Sequence, residues 1–372
     1  MVKYFCYDYL SGISARGKMA GKNSHALAVA AASLILIFAG PGPGLLSAQT
    51  AARSMSDDTP VRLFIIDDDA GMLKREVWKD GIYQTPWFKF TDPDGGLEMI
   101  YALREPSIKV LGITCAMGCS STRVCMASVK KILELTGRTD VPLLKGAESP
   151  SDLAKPTAAS SFIIDTVMNN PGQVEIISTA PLTNIATAIM LEPRLPQNWK
   201  MLHMATGEFW GTLGEMSDGA KFARATGYQD LNINVDVKAV QYVLEHAGRN
   251  MVVYDNELMD DAFLTMKHRG QLQNAGTPLA KWVADETFPI TPVEKLFAAM
   301  PGMPLHGVIA VAVAVDPSLA AAPVNIRIVL AHRKRGGYYF VSSDDPRVSS
   351  YPVFSQALDS ETIEKRLVQS CQ

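Results

Sequence analysis

Carboxylate side chains cluster directly after the first strong apolar segment of the sequence. Ile66 ends the run VRLFII and is followed by Asp67, Asp68 and Asp69. Adjacent carboxylates repel one another, so such a cluster favours binding of a cation. A hard cation such as Ca²⁺ takes about six to eight oxygen ligands, mainly from carboxylates and carbonyls. The alternative is a solvated turn, with Asp94 as the N-cap of the helix that follows.

Three cysteines form a second group, with the spacing C-x3-C-x5-C at Cys115, Cys119 and Cys125. Zinc sites usually contain C-x2-C pairs, which this segment lacks. A nucleophilic thiol at Cys119, a disulfide within the trio and three inert thiols all remain open. His203 lies inside an apolar run, which is typical of a buried structural histidine.

The elements that must position these residues alternate between apolar strands and amphipathic helices. Near-continuous apolar strands that alternate with helices predict one α/β domain with a mostly parallel central sheet covered by helices on both faces. Ligands bind beyond the carboxyl ends of such strands, here after Ile66, Thr114, Ser178 and Ala205. The predicted strands are 61–66, 108–114, 141–144, 174–178, 201–205 and 251–254, with a strand pair at 324–330 and 338–341; the predicted helices are 96–104, 121–136, 158–168, 182–191, 237–246, 305–315 and 360–369.

The first 48 residues have a different character. Basic residues precede the uncharged segment Ala26–Ala39, and glycines, prolines and small residues follow it. This is the pattern of a secretory signal peptide, and the segment is shorter than the roughly 20 residues of a membrane span. We expect residues 1–48 to be a signal peptide with an N-terminal extension, residues 49–372 to be the single domain, and the protein to be periplasmic or secreted without a stable membrane span.

Composition excludes several other classes. The chain has 372 residues, of which 47% are hydrophobic, and 35 Lys and Arg against 38 Asp and Glu give a net charge of −3. This balance provides no electrostatic footprint for a nucleic-acid polymer. Five cysteines are too few for a disulfide scaffold.

Several ordered motifs resemble one family. The sequence contains FIIDDDAG, DPDGGLEMIYAL, IKVLGITCAMG, TDVPLLKGAESP, STAPLTNIATAIMLEP, DLNINVDVKAV and MPLHGVIAVAVAVDPSL, in that order, between residues 64 and 319. Together they resemble the inosine–uridine preferring nucleoside hydrolases. The resemblance implies a Rossmann-like α/β fold and a Ca²⁺-dependent enzyme that cleaves a small nucleoside into sugar and base.

The resemblance also implies roles for individual residues. Asp69 matches the metal-binding general base, and Asp94 matches the first aspartate of the family's D-D pair. The main-chain carbonyl of Thr179 matches a further metal ligand. Asp67 matches the first aspartate of the motif, which supports the metal site, and we include it in the predicted ligand set.

Substrate-binding residues follow in the same way. Asp230 and Asn232 match residues that hold the ribose hydroxyls, and His306 matches a histidine that faces the base and protonates the leaving group. Cys119 replaces the asparagine of the family's G-N pair. Trp210 lies in a segment that by resemblance borders the pocket, although a surface-loop anchor is an equal alternative.

The sequence departs from the family pattern at the metal site. Gly95 replaces the second aspartate of the D-D pair, and Gly307 replaces the aspartate after the late histidine. Fewer anionic ligands should weaken Ca²⁺ binding. Asp68 and Asp92, and less directly Glu98, are the candidate substitutes.

An insertion at residues 72–91 carries several aromatic side chains, which either cover the pocket and stack on a base or only pack the insertion onto the domain. The leading hypothesis is a secreted N-ribohydrolase. The alternatives are the same fold with another substrate or metal, and a non-catalytic protein that binds a nucleoside-like ligand. The resemblance also suggests a homo-oligomer.

Overall fold

The structure is a computed structural model that describes residues 61–73, 93–209, 230–259, 261–288, 301–333 and 337–372. The predictions made for the signal peptide, for most of the insertion at 72–91, for Asp92 and for Trp210 lie outside these residues.

A nine-stranded sheet forms the centre of the molecule, in the order β10-β9-β11-β6-β5-β4-β1-β2-β3. The strands β1 to β6 and β11 are parallel, whereas β9 is antiparallel to both of its neighbours. The strand bounds are β1 Arg62–Asp68, β2 Ile108–Cys115, β3 Leu143–Lys145, β4 Val174–Ser178, β5 Met201–Met204, β6 Met251–Tyr254, β9 Val324–Arg333, β10 Gly337–Ser342 and β11 Ser350–Phe354, with a separate two-stranded sheet of β7 Phe263–Leu264 and β8 Met303–Pro304.

Helices cover both faces of the sheet and create two hydrophobic cores. In β1, Phe64 and Ile66 belong to one core and Ile65 belongs to the other, as expected for side chains that alternate across a strand buried on both faces. The helix bounds are α1 Asp94–Arg104, α2 Thr122–Thr136, α3 Ala158–Asn169, α4 Thr183–Leu191, α5 Leu195–Asn198, α6 Leu231–Val235, α7 Val237–His246, α8 Asn256–Met259, α9 Met266–Ala275, α10 Pro278–Glu286, α11 His306–Val315 and α12 Ser360–Ser370, with short 3₁₀ helices at Pro150–Asp152 and Pro317–Leu319.

The strand order identifies a switch point beside β1. The chain runs outward from β1 through β2 to β3, then returns to place β4 on the opposite side of β1 and continues outward through β5 to β6. A crevice opens at the carboxyl edge of such a sheet because the two successive connections leave in opposite directions. The loops after β1, β2 and β4 therefore meet at one place.

The predicted fold class is confirmed, and most predicted elements lie within two residues of the observed bounds. The predicted pair at 324–330 and 338–341 corresponds to the antiparallel strands β9 and β10. The sequence did not predict β11 or the helices α8 to α10. Among the described helices, none combines the length and the apolar character needed to cross a membrane.

Candidate active site

A pocket of about 520 Å³ opens at the carboxyl edge of the sheet, beside the switch point. Most of the residues predicted from the sequence line it together, although they come from distant parts of the chain. These are Asp69, Asp94, Cys119, Thr179, Asp230, Asn232 and His306.

Asp67 lies beneath the pocket and does not line it. Its carboxylate is fully buried and accepts hydrogen bonds from Thr114 Oγ1 at 2.7 Å, Asn184 Nδ2 at 2.8 Å and Ser178 Oγ at 3.1 Å. Burial raises its pKa to about 6, although these donors oppose the shift. With its oxygens held by the neighbouring strands β2 and β4 and by α4, Asp67 fixes the end of β1 and acts as a support.

Asp69 points towards the loop after β2. One of its carboxylate oxygens accepts a hydrogen bond from the main-chain N–H of Cys119, and the same oxygen occupies the space that a Cβ at residue 118 would fill. Gly118 is therefore required for this close approach. Burial, followed by the charge of Asp68, raises the pKa of Asp69 well above its usual value.

Asp94 and His306 stand at the adjoining N-termini of α1 and α11. The N–H of Gly307 donates to Asp94 Oδ2 at 3.3 Å, so the carboxylate lies at the positive end of α11. Pro93, and not Asp94, is the N-cap of α1. The alternative in which Asp94 serves as the N-cap of this helix is therefore wrong.

The main chain of Thr179 enters the pocket just after β4. Its carbonyl accepts a hydrogen bond from Asn232 Nδ2 at 2.8 Å. Asp230 caps α6 by accepting from the N–H of Ile233 at 2.6 Å, and it also accepts from Gly207 N and Asn256 Nδ2. These bonds fix the wall that carries Asn232.

Two further lining residues, Asn256 and Met259, were missed from the sequence. Both belong to α8, which follows β6 almost directly. The rule that ligands bind after the carboxyl ends of parallel strands would have identified Asn256 if it had been applied after Tyr254.

The alternatives left open by the sequence have clear outcomes at several positions. Asp67, Asp68 and Asp69 are almost completely buried, which excludes a solvated turn. No disulfide joins Cys115, Cys119 and Cys125 in the structure, which excludes the disulfide alternative for this trio. His203 is buried and bonded to Glu175 and Tyr254, which confirms its structural role.

The donor set suits a hard cation. The described lining residues supply carboxylate, amide and carbonyl oxygens and include no Lys or Arg. Behind the lining, Glu98 is fully buried, and neither of its carboxylate oxygens has a hydrogen-bond partner among the described residues. As the side chains stand, no group of three or more His, Cys, Asp or Glu within the described ranges is gathered tightly enough to hold a metal ion. The residues fit a divalent cation in chemistry, and binding would have to draw their oxygens closer.

Comparison with known proteins gives consistent results. The family model described as inosine-uridine preferring nucleoside hydrolase matches residues 90–357, a segment that begins after β1 and its aspartates. An uncharacterized protein of Schizosaccharomyces pombe is 28% identical over 228 residues, which are 53% of this chain and 70% of that protein. A probable uridine nucleosidase 2 of rice, Oryza sativa subsp. japonica, is 23% identical over 52% of this chain, and the match spans 63% of the rice protein, less than two thirds of its length.

The fold has solved counterparts. A purine-preferring ribonucleoside hydrolase from Gardnerella vaginalis superposes with a TM-score of 0.65 and 21% identity, covering 83% of this chain and 98% of the other. At this identity the likeness concerns the fold alone.

Proposed function

Because the chain belongs to the inosine–uridine preferring nucleoside hydrolase family, whose members hydrolyse N-glycosyl compounds, we propose that it cleaves the N-glycosidic bond of a ribonucleoside or a related N-riboside. The observation that carries the proposal is the convergence of Asp69, Asp94, Asn232 and His306 on one pocket at the switch point of the sheet. The order of motifs alone could not provide this convergence.

The reaction requires a nucleophilic water and stabilisation of positive charge on the sugar. Water attacks the anomeric carbon, its oxygen forms the new bond to that carbon, and the bond to the base nitrogen breaks. The transition state has oxocarbenium character. Asp69 accepts the proton of the water, a role supported by its place in the pocket lining. The remaining carboxylates stabilise the developing positive charge.

The family is metal-dependent, and the oxygen-rich lining supports a divalent cation here. We propose that Asp69, Asp94 and the Thr179 carbonyl contribute to holding Ca²⁺. When bound, Ca²⁺ would lower the pKa of a water and orient the sugar hydroxyls. Asn232, whose amide is held against Thr179, would position the ribose at the same wall.

His306 is the proposed general acid for the base. It lines the pocket at the start of α11, and its charge acts on the nearby Asp230. Protonation of the base nitrogen matters most when the leaving group is poor. His306→Ala should therefore slow inosine hydrolysis about 100-fold while slowing a 4-nitrophenyl riboside far less. Equal loss for both substrates would contradict this role.

The central test is release of ribose from inosine and uridine by the purified full-length chain, with Ca²⁺ or with a chelator. Asp69→Asn keeps the shape of the side chain and removes the base, so we expect kcat/KM to fall about 10³-fold. Asp236→Asn is a matched control, because Asp236 is also a buried aspartate but caps α7 outside the pocket.

Two outcomes would contradict the proposal. Unchanged nucleosides after long incubation with every divalent cation tested would favour the non-catalytic alternative, especially if a nucleoside still binds. Hydrolysis that Asp69→Asn leaves intact would assign the chemistry to another residue. The relatives' names refer to uridine in one case and purines in the other, so both base classes belong in the assay.

We also propose that the protein is exported. The support is the sequence pattern at residues 16–48, with basic residues, an uncharged apolar segment and small residues in order. Mass spectrometry of the N-terminus after expression in a Gram-negative host tests this. We expect cleavage close to residue 48 in the periplasmic fraction, and an uncleaved cytoplasmic product would contradict it.

A further inference from the structure

Two glycines form part of the pocket wall at positions where the family motifs contain aspartates. Gly95 is the second residue of α1, and Gly307 is the second residue of α11. The chain therefore lacks the carboxylates that these two helix starts would otherwise supply. What fills the space beside each glycine decides whether the charge is lost or supplied from elsewhere.

Carboxyl groups from other positions already occupy both spaces. A Cβ added at Gly95 would lie 2.8 Å from the carboxyl carbon of Asp68 and 2.7 Å from its Oδ2. A Cβ added at Gly307 would lie 3.0 Å from the carboxyl carbon of Glu98 and closer still to its Oε2. In this conformation the carboxyl ends of Asp68 and Glu98 fill the spaces that side chains at these glycines would need.

Glu98 is buried beside other acidic side chains. It is fully buried on α1, one helical turn after Asp94, and both of its carboxylate oxygens lack a hydrogen-bond partner among the described residues. Burial of an ionised carboxyl group without a hydrogen-bond donor or a cation is unfavourable. The charges of Asp68 and Asp94 oppose its ionisation, and only the protonated form of Glu98 can share a hydrogen bond with Asp68. The group is therefore unfavourable for folding as it stands and has the character of a ligand side chain.

Asp68 connects the same space to the metal-ligand candidates of the opposite wall. It is the last residue of β1, and its Oδ2 accepts a hydrogen bond from Thr179 Oγ1 at 2.6 Å. Its Oδ1 accepts from the N–H of Ala70. Asp68 thus lines the pocket between Thr179 on one side and Gly95 on the other.

We propose that Asp68 and Glu98 supply the two carboxylates that Gly95 and Gly307 lack, so that the pocket binds a divalent cation through relocated ligands. The proposal deepens the proposed function and rests on it for the presence of a metal. Oxygen ligands alone, without nitrogen or sulfur, favour Ca²⁺ over Zn²⁺. In this arrangement Asp68 replaces the acid missing at Gly95, and Glu98 replaces the acid missing at Gly307. Each replacement comes from a residue that is close in space but distant in the sequence.

Calorimetric titration of the full-length chain with Ca²⁺ alone tests the ligand role without any enzymatic assay. We expect one site in the wild type and dissociation constants at least about tenfold higher in Glu98→Gln and in Asp68→Asn. Asp236→Asn should bind Ca²⁺ like the wild type, because that aspartate lies outside the pocket. No binding of Ca²⁺, Mg²⁺ or Mn²⁺ to the wild type, or unchanged affinity in both variants, would overturn the proposal.

Moving each carboxylate back provides a sharper test. Glu98→Ala removes the carboxyl group beside Gly307 and leaves only its Cβ, 3.0 Å from the Cβ that a residue at 307 would carry, which must shift by a few tenths of an ångström. The double variant with Gly307→Asp should therefore recover Ca²⁺ affinity to within about threefold of wild type. Asp68→Ala combined with Gly95→Asp should recover in the same way. The Ca²⁺ affinity of each double variant is compared with that of its alanine parent, and thermal unfolding is measured for both to show that each is folded. Failure of both double variants to bind better than their parents would overturn the relocation.

Ribose release measured in parallel separates the two proposals. Ca²⁺ binding that follows the predicted variant pattern without any nucleoside cleavage would leave the ligand assignment standing and remove the proposed function. Metal-dependent cleavage with Ca²⁺ affinity unchanged in Glu98→Gln and Asp68→Asn would leave the function standing and remove the assignment.

Discussion

Towards the amino ends of β4 and β5 the buried carboxylate of Glu175 is paired with partly exposed cations. At the carboxyl ends the described pocket residues include no Lys or Arg beside the carboxylates. Glu175 lies 2.5 Å from Arg62 Nη2, 3.0 Å from Lys200 Nζ and 2.9 Å from His203 Nε2. Asp68 and Glu98, at the other end, face other carboxylates.

The two regions shift carboxyl pKa values in opposite directions. Burial alone would raise the pKa of Glu175, but hydrogen bonds from His203, Arg62 and Lys200 hold it far below its usual value. In the pocket, burial raises the pKa of Asp68 to about 6, and the hydrogen bond from Thr179 only partly opposes the shift. Burial and the charge of Asp68 raise the pKa of Glu98 well above its usual value.

The contrast separates two reasons for burying charge. Glu175 and its partners neutralise one another within the fold, so this cluster contributes to the folded state without any ligand. The pocket carboxylates are not neutralised by the described side chains, so their burial is favourable only with a cation or protons. Removing a carboxylate should therefore lower the free energy of unfolding in the first region and, when no cation is bound, raise it in the second.

The largest effect is expected from Glu175→Gln. The variant leaves Arg62 and Lys200 without their acid and replaces the charged acceptor of His203 by a neutral amide oxygen, so we expect the free energy of unfolding to fall by about 3 kcal/mol. Urea denaturation at pH 7.5 measures this. A decrease in the free energy of unfolding of less than about 1 kcal/mol would mean that this cluster is no stronger than a surface ion pair. The two ends of the sheet would then not differ in the way described above.

The sequence predicted the central sheet well because its strands are buried on both faces. Such strands are nearly continuous apolar runs, as in VRLFII before Asp67. It did not predict β11, although this strand lies between β6 and β9. The segment SYPVF contains Pro352, which cannot donate a hydrogen bond to a neighbouring strand and argues against an interior position.

The candidate site could be predicted wherever a residue follows a strand end or matches a motif, as for Asp69, Thr179 and His306. The burial of Glu98 beside Gly307 could not be predicted from the sequence. It depends on how α1 and α11 pack against each other, and no local pattern encodes the distance between two helices that are far apart in the chain. A glycine in place of an expected acid indicates a lost ligand, and only packing reveals what fills its space.

A smaller effect is expected when pH changes the stability difference between the wild type and Glu175→Gln. Because the folded-state pKa of Glu175 is lowered from 4.5, its contribution to stability is present above pH 4.5 and is lost as the pH falls further. The stability difference between wild type and Glu175→Gln should therefore be constant between pH 6 and 7 and shrink by about 1.4 kcal/mol for each pH unit well below 4.5. Burial lowers the pKa of His203 and Glu175 raises it, so this histidine titrates differently in the two proteins and the comparison is made in a His203→Gln background. A difference that stays constant down to pH 3 would contradict the lowered pKa.

The smallest expected effect is the one that divides the two regions most sharply. Glu98→Gln replaces a buried, unpaired carboxyl group by a neutral amide of the same shape, so in the presence of a chelator the free energy of unfolding at pH 7.5 should rise by about 1 kcal/mol. In saturating Ca²⁺ the wild type should become the more stable of the two proteins. Ca²⁺ binds only the folded state, and it binds the wild type more tightly than the variant, so it stabilises the wild type more. Paired urea denaturation curves with chelator and with Ca²⁺ measure both signs. A variant less stable than the wild type under both conditions would mean that Glu98 supports the fold as Glu175 does, and the two ends of the sheet would then bury charge for the same reason.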